Sequence, residues 1–203
     1  PYVTSSSPIA GGACNGSGIG PTYINKVVGV YKAYITRVGE GPFATELDDV
    51  YGEKLQEIGA EFGTTTGRKR RCGWFDAVVA RHSVLLNGLT DIALTKLDVF
   101  DSFEEIKICV GYEDRRDGRI YEYYPSNTSL HKYLEPIYET MDGWMQDISG
   151  IKNYQDLPDE AKKYIKRLEE IIGVQISIIS VGANREQTII VENPLKCKTG
   201  VKI

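Results

Sequence analysis

The middle of the chain carries four consecutive basic residues, within Gly63-Thr64-Thr65-Thr66-Gly67-Arg68-Lys69-Arg70-Arg71-Cys72-Gly73-Trp74-Phe75-Asp76. Glycines let the backbone approach a ligand closely, and the threonine triplet offers hydroxyl and amide donors. Guanidinium groups bind carboxylates and phosphates in a bidentate way that a lysine cannot reproduce. The stretch therefore predicts an anion-binding loop.

A run of basic residues is also typical of a solvated surface patch or a nuclear-localisation signal. Neither of these needs a glycine- and threonine-rich segment before the run or Gly73-Trp74-Phe75 after it. The flanking residues favour a loop that buried aromatic side chains anchor.

Two elements follow this loop. A helix is predicted from Trp74 to Leu89, because apolar residues recur there at the spacing of a core-facing stripe: Val78, Val79, Leu85, Leu86 and Leu89. His82 lies near that stripe and is interpreted as a core or boundary histidine rather than a ligand. Residues 91–95 then predict a short buried strand that ends at Lys96-Leu97-Asp98.

The order Thr95-Lys96-Leu97-Asp98 at a strand end is the one by which guanine-nucleotide proteins recognise their base. The carboxylate accepts from guanine N1–H and the exocyclic amine, while the lysine stem covers the ring. Adenine offers no such donor pair, so its binding would leave a buried carboxylate unpaired. A match of only four residues is equally compatible with a lysine and an aspartate that have purely structural roles.

The remaining segments predict an alternation of strands and helices. Strands are predicted over 27–37, 105–112, 119–124 and 174–180, and helices over 48–60 and 161–172, the first ended by Gly63 and the second by Gly173. Arg115 and Arg116 fall on a polar hairpin turn, where a solvated role is favoured. The segment around Tyr138 and Trp144 is interpreted as irregular, and residues 180–185 as a loop at the carboxyl end of a strand, where α/β sheets bind ligands.

Composition limits the classes of function. A chain of 203 residues fits one domain or one lobe of a larger one. Its net charge of −4 argues against general nucleic-acid binding, and it contains neither an apolar membrane span nor a charged leader. Four scattered cysteines with two histidines form no metal-site pattern; they favour reduced thiols over disulfides, and hence a cytoplasmic protein.

The opening from Pro1 to Pro21 is rich in serine and glycine, and composition alone predicts a linker there. Gly16-Ser17-Gly18-Ile19-Gly20 lacks the spacing of a dinucleotide-binding fingerprint. Since the first residue is Pro1, the chain is expected to begin partway through a longer protein.

Residues 64–76 closely resemble the aspartate- and nucleotide-binding loop of the adenylosuccinate synthetase family. The resemblance extends in the family's order through Tyr2-Val3-Thr4-Ser5-Ser6, Thr36-Arg37-Val38-Gly39, Gly41-Pro42-Phe43-Ala44-Thr45-Glu46-Leu47, Leu94-Thr95-Lys96-Leu97-Asp98-Val99, Glu135-Pro136-Ile137-Tyr138-Glu139-Thr140-Met141 and Tyr164-Ile165-Lys166-Arg167. It covers essentially the whole chain. The chain then corresponds to about the C-terminal half of such an enzyme.

The resemblance implies an α/β fold, specifically the C-terminal portion of a P-loop-NTPase-like mixed sheet with helices, a hairpin and irregular segments. It implies GTP-dependent ligation of IMP and L-aspartate to adenylosuccinate by a homodimer. IMP would contact Thr4, Val38 and Arg68. Aspartate would contact residues 64–70, namely Thr64, Thr65, Thr66, Gly67, Arg68, Lys69 and Arg70. GTP would contact Arg70, Lys96, Leu97, Asp98, Ser180, Val181 and Gly182.

Residues 1–203 are thus expected to form the C-terminal part of one such domain, without the family's phosphate-binding loop or its catalytic residues. No Gly-x-x-x-x-Gly-Lys-Ser/Thr pattern occurs in the sequence. The resemblance places the ligands of Mg²⁺ in the N-terminal half, and Ala183 stands where the family usually has proline. The alternative is a non-catalytic fragment, or a nucleotide-binding module of a split or cleaved enzyme.

Overall fold

The computed structural model describes residues 7–196 and contains four helices and ten strands within them. The helices are α1 Gly11–Ser17, α2 Val50–Ile58, α3 Ala77–Asn87 and α4 Asp159–Ile172. The strands are β1 Val28–Lys32, β2 Ile35–Arg37, β3 Arg71–Gly73, β4 Phe75–Asp76, β5 Asp91–Thr95, β6 Glu105–Asp114, β7 Arg119–Tyr121, β8 Leu134–Asp142, β9 Ile176–Ser180 and β10 Thr188–Ile190. This composition confirms the predicted mixed α/β class.

The central sheet has the strand order β1-β5-β9-β10. The first three strands run parallel, and β10 pairs antiparallel with β9. Because parallel strands end at the same edge, Lys32, Thr95 and Ser180 all lie at one border of this sheet. Every residue from Asp91 to Leu94 is buried, as expected of a central parallel strand.

A second sheet is built on the long strand β6, which pairs parallel with β4 and antiparallel with β7 and β8. The short strands β2 and β3 form a separate antiparallel pair. Helix α4 closes the central sheet with one buried face, which consists of Ala161, Tyr164, Ile165, Leu168 and Ile172. The Tyr164 hydroxyl donates to the Ala33 carbonyl over 2.7 Å, which attaches this helix to the end of β1.

The predicted strand over 27–37 is in fact two strands in different sheets. The chain bends at Ala33 and Tyr34, which are both buried, and the Ala33 amide still donates to the Thr95 carbonyl. Local β propensity persists across such a bend, so the sequence does not reveal it.

The predicted helix stripe after the central loop is wrong in part. Helix α3 begins only at Ala77, because Asp76 caps it by accepting from the Val78 and Val79 amides. Val78 is buried, but Leu85 is 79% exposed, and Leu86 and His82 are exposed as well. His82 is therefore not a core residue.

Several other boundaries differ from the predictions. Helix α2 ends at Ile58, ahead of the predicted stop at Gly63, and Asp49 caps its start. The segment interpreted as irregular contains β8, and Trp144 after it is buried. Strand β10 was not predicted, because its three residues are too few to show a periodic pattern.

Two predictions for polar segments also need correction. The stretch predicted as a linker contains α1, which buries no residue and so has no apolar signature. Arg116 is not merely solvated, since it forms an ion pair with the buried Asp114 and lies over the Tyr133 ring. Within residues 7–196, no helix is both long and apolar enough to cross a membrane.

Candidate functional site

The glycine- and threonine-rich segment forms an exposed loop closed at its base. The Gly67 amide donates to the Gly63 carbonyl over 2.7 Å, and the Gly63 amide donates to the Arg68 carbonyl over 2.8 Å. Gly67 has a φ of 63°, which glycine adopts without strain. Thr64 to Lys69 are all exposed, so the threonine hydroxyls and the two charged side chains are accessible to a ligand, whereas the Gly67 amide is used within the loop.

The basic run divides into two free and two paired cations. The Arg68 and Lys69 side chains make no hydrogen bond or ion pair with any residue from 7 to 196. Arg70 pairs with Glu61 over 2.7 Å, and Arg71 forms a bidentate pair with Glu46. The free guanidinium of Arg68 is thus the one placed to bind an anion.

Val38 lies beside this run. Strands β2 and β3 pair Arg37 with Arg71, so Val38 follows the last pair at the position opposite Arg70. Its side chain is 76% exposed. Thr4 lies outside the described residues, so its predicted contact with IMP stays a prediction.

Strand β5 delivers the second group of predicted residues. Lys96 adopts the left-handed conformation, with a φ of 59°, and turns the chain into a short 3₁₀ helix over Leu97–Phe100. Leu97 is fully buried, so it presents no surface of its own to a ligand. Asp98 follows at the carboxyl edge of the central sheet, where α/β proteins bind ligands.

The Asp98 carboxylate has an unusual environment. Its Oδ1 atom is buried and has no hydrogen-bond partner among residues 7–196. Burial raises the pKa of Asp98, and the charge of nearby Asp147 acts in the same direction, while Lys96 opposes it. A buried acceptor without a donor is costly, so this oxygen is suited to a ligand that brings its own N–H groups.

The loop after β9 faces the same edge. The Ser180 hydroxyl donates to the Gly182 carbonyl over 2.8 Å, and the Val181 amide donates to the Gln187 carbonyl. A Cβ atom at Gly182 would overlap the amide end of the Gln187 side chain, so a larger residue there would displace that side chain. Gln187 Nε2 in turn donates to the Ser149 carbonyl over 3.1 Å, which fixes the loop from outside. Like Leu97, Val181 is fully buried and presents no surface of its own.

Glu61 connects the residues after β5 with the basic loop, and no sequence pattern predicted this role. Its side chain is 0% exposed and accepts from Tyr34, Lys32, Lys96 and Arg70 over 2.6–2.8 Å. Burial acts to raise the pKa of Glu61, but these hydrogen bonds outweigh it and hold the pKa at about 2. Ala60 and Phe62 flank it in sequence, which was the only hint that this glutamate is buried.

No cluster of metal-ligating side chains is found among the described residues. From residue 7 to residue 196, no three His, Cys, Asp or Glu side chains are grouped so that they could hold a metal ion. His131 is buried and bound structurally, with its Nε2 atom 2.8 Å from the Pro125 carbonyl. Cys14, Cys72 and Cys109 are free thiols. These residues therefore do not fit a magnesium site.

Comparison with known proteins agrees with this geometry. The sequence model of the adenylosuccinate synthetase family matches residues 1–189. Adenylosuccinate synthetase of Picosynechococcus is 61% identical over 195 residues, which are 96% of this chain and 44% of that protein. The Geobacter sulfurreducens protein of the same name is 54% identical over 198 residues, or 98% of this chain and 45% of its own length.

A solved structure gives the same result for the fold. The fully ligated adenylosuccinate synthetase from Plasmodium falciparum superposes with a TM-score of 0.90 at 44% identity, and covers 94% of this chain and 45% of that one. The chain thus spans a little under half the length of these relatives. By sequence and by fold, it belongs to the adenylosuccinate synthetase family.

Proposed function

We propose that this chain is the part of a GTP-dependent ligase that binds guanine and aspartate while IMP and L-aspartate are joined to adenylosuccinate in purine biosynthesis. The observation that carries the proposal is the buried, unpartnered Oδ1 atom of Asp98 at the carboxyl edge of the central sheet. The N1–H and exocyclic amine of guanine are donors of the kind that this acceptor lacks.

The guanine site is proposed between two loops. Lys96 would lay its methylene stem on the base, since its ammonium is already bound elsewhere. Asp98 would accept from the base edge, while Ser180, Val181 and Gly182 approach from the loop after β9. The buried Leu97 and Val181 would support the two loops from beneath the base. Both loops follow neighbouring parallel strands, which explains how residues 82 positions apart in sequence, Asp98 and Ser180, could bind one base.

The aspartate and IMP sites are proposed around the basic loop. Thr64, Thr65 and Thr66 would offer donors to the carboxylates of aspartate, Gly67 would form the turn that presents them, and the unpaired cations of Arg68 and Lys69 would balance the charge of aspartate. Arg68, Val38 and Thr4 would contact IMP. Arg70 would reach both the aspartate and the nucleotide phosphates, since only one of its guanidinium nitrogens is bound to Glu61.

The proposed reaction has two steps. The γ-phosphoryl group of GTP passes to the 6-oxygen of IMP, and GDP leaves. The aspartate amine then attacks C6 and the phosphate departs with that oxygen, giving adenylosuccinate. This chain would hold aspartate in line and stabilise developing negative charge through its arginines and backbone amides. When bound, Mg²⁺ neutralises phosphate charge; no described residue is assigned to hold it.

The cellular setting is proposed from the same family membership. The free thiols of Cys14, Cys72 and Cys109 suit a reducing compartment, so we place the enzyme in the cytoplasm. We propose a homodimer as its working form. A non-catalytic nucleotide-binding module remains the alternative, and it would bind guanine nucleotide without turnover.

The test of this function is nucleotide choice in the full-length enzyme that carries this chain. Asp98→Asn presents an amide donor, which should favour the 2-oxo group of xanthine over the amine of guanine. Each exchanged hydrogen bond to a charged partner is worth about 1.5–3 kcal/mol, so GTP use should fall at least about tenfold while XTP use rises.

The measurement is the ratio of kcat/KM for GTP and XTP in wild type and variant, with a thermal melt as control. A structural role for Asp98 predicts a lower melting temperature with an unchanged ratio. That result would remove Lys96 and Asp98 from the guanine site.

A further inference from the structure

Glu61 is the most heavily bonded carboxylate near the proposed site, and the proposed reaction gives it no role. Its Oε1 atom accepts from the Lys32 and Lys96 ammonium groups at 2.8 Å and from the Tyr34 hydroxyl at 2.6 Å. Its Oε2 atom accepts from Arg70 at 2.7 Å. One buried carboxylate therefore holds a cation of the guanine site and a cation of the aspartate loop.

The contact to Lys96 determines what that side chain presents to a ligand. The ammonium donates both to Glu61 and to the Gly59 carbonyl, so it points away from the site. About a third of the side chain stays exposed, which leaves the methylene stem as an apolar surface. A free lysine loses rotamer entropy when it is ordered, and Glu61 removes that cost before the ligand arrives.

The contact to Arg70 acts in the same way on the loop. A guanidinium has five N–H donors, and Glu61 occupies one nitrogen of Arg70. The other N–H groups of Arg70 are held in a fixed orientation and stay available to a ligand. The backbone adds a second link, since the Arg70 amide donates to the Glu61 carbonyl over 2.9 Å. The orientation of Arg70 thus depends on the Glu61 side chain, whereas the path of the backbone does not.

The charges of the cluster support this reading. Three cations meet one carboxylate with no exposed surface, so the group keeps an excess of positive charge. Without the carboxylate, Lys32, Lys96 and Arg70 would repel one another and separate. We infer that Glu61 is a positioning residue that orients Lys96 for the base and Arg70 for aspartate, so that the two substrate sites depend on one side chain. The inference rests on the proposed function.

The test is steady-state kinetics of the full-length enzyme with Glu61→Gln, which removes the negative charge and keeps nearly the same side-chain size. The KM values for GTP and for aspartate should both rise at least about tenfold, because each cation loses its directed partner. Glu57→Gln is the matched control, since Glu57 is an exposed glutamate on the neighbouring helix α2. That variant should leave both KM values unchanged.

A double variant separates positioning from a general loss of structure. If Glu61 acts on the nucleotide partly through Lys96, then Glu61→Gln should raise the GTP KM by a smaller factor in a Lys96→Met background than in wild type, since only its effect through Arg70 remains, and should still raise the aspartate KM. Additive effects on GTP, or unchanged KM values with a lower melting temperature, would overturn the inference. If Glu61→Gln does not fold, Glu61→Asp is the second variant, since it keeps the charge but shortens the side chain by one methylene. It should raise the KM values for GTP and aspartate together. Unchanged KM values would again overturn the inference.

The outcome for wild type keeps this inference apart from the proposed function. A wild-type enzyme that uses neither GTP nor aspartate would refute the proposed function itself. A wild-type enzyme that uses both, with a Glu61→Gln variant that behaves identically, would refute only the positioning role.

Discussion

Arg68 and Arg70 are two positions apart, yet they have opposite environments. The Arg70 guanidinium is already bound to Glu61, whereas Arg68 has an exposed side chain with no partner between residues 7 and 196. An arginine without an internal partner in a loop otherwise tied by backbone hydrogen bonds contributes little to folding. Its replacement should therefore act on ligand binding and leave the fold intact.

Arg68→Leu in the full-length enzyme should raise the aspartate KM by one to three orders of magnitude. A lost charge-assisted bidentate pair is worth roughly 2–4 kcal/mol where the site is desolvated. The measurement is the aspartate KM at saturating GTP and IMP, and the control is Arg115→Leu on the exposed β6–β7 turn. An aspartate KM equal to that of wild type would mean that the basic run is a solvated surface.

At the scale of elements, Asp101 ties the short helix after β5 to the segment after β8. Its carboxylate accepts from Trp144 Nε1 over 2.8 Å and from the Ile148 amide over 3.1 Å. Burial, with the nearby Asp98 and Asp147, raises the pKa of Asp101 to about 6 against these hydrogen bonds. The ionised form is therefore less favourable in the folded protein than in the unfolded chain.

This shift predicts a pH dependence of stability. Because the folded pKa lies above the ordinary value, the stabilising contribution is complete below about pH 4 and is lost as the pH rises through about 6. Asp101→Asn cannot ionise, so wild type should gain about 0.5–1 kcal/mol relative to it between pH 7.5 and pH 5, allowing for partial exposure.

The measurement is the melting temperature of both proteins across that pH range. Asp142→Asn, an exposed change at the end of β8, serves as control. A difference between wild type and Asp101→Asn that does not change with pH would contradict the raised pKa.

Residue patterns predicted the elements whose signals are local. Strand β5 matches its predicted bounds, and α4 ends at Ile172 before Gly173, as its apolar face and glycine stop indicate. The bend at Ala33 and the buried state of Glu61 depend on contacts with distant residues, which no single sequence displays. The exposed Leu85 shows the converse case, since a helical stripe predicts an apolar face but not what covers it.

At the scale of the whole molecule, the described residues include the proposed sites for a base and an amino acid, and no group of three metal-ligating side chains is found among them. The sequence likewise has no Gly-x-x-x-x-Gly-Lys-Ser/Thr pattern. The substrate-binding residues were predicted from the family resemblance of the sequence, since residue types and spacing alone do not distinguish one bound anion from another. Their roles stay predictions until ligand binding is measured.

A polypeptide of these 203 residues alone should make no adenylosuccinate from IMP, GTP, aspartate and Mg²⁺. The phosphate-binding loop and the groups that activate IMP are expected in the other half of the enzyme, so activity should return when that half of a relative is added. Product formation is measured by chromatography, with the polypeptide carrying Arg68→Leu as control in the mixed assay. Turnover by the polypeptide alone would contradict the prediction.

The edge of the central sheet has a consequence for how such a polypeptide behaves in solution. In the part of the chain that the structure describes, β1 pairs with β5 alone, and Val30 on it is 76% exposed. Unpaired strand groups form a template on which a strand of another molecule can add, which is the first step of edge-to-edge aggregation. Low recovery or turbidity of the polypeptide would then indicate aggregation. An activity assay is informative only on its monodisperse fraction.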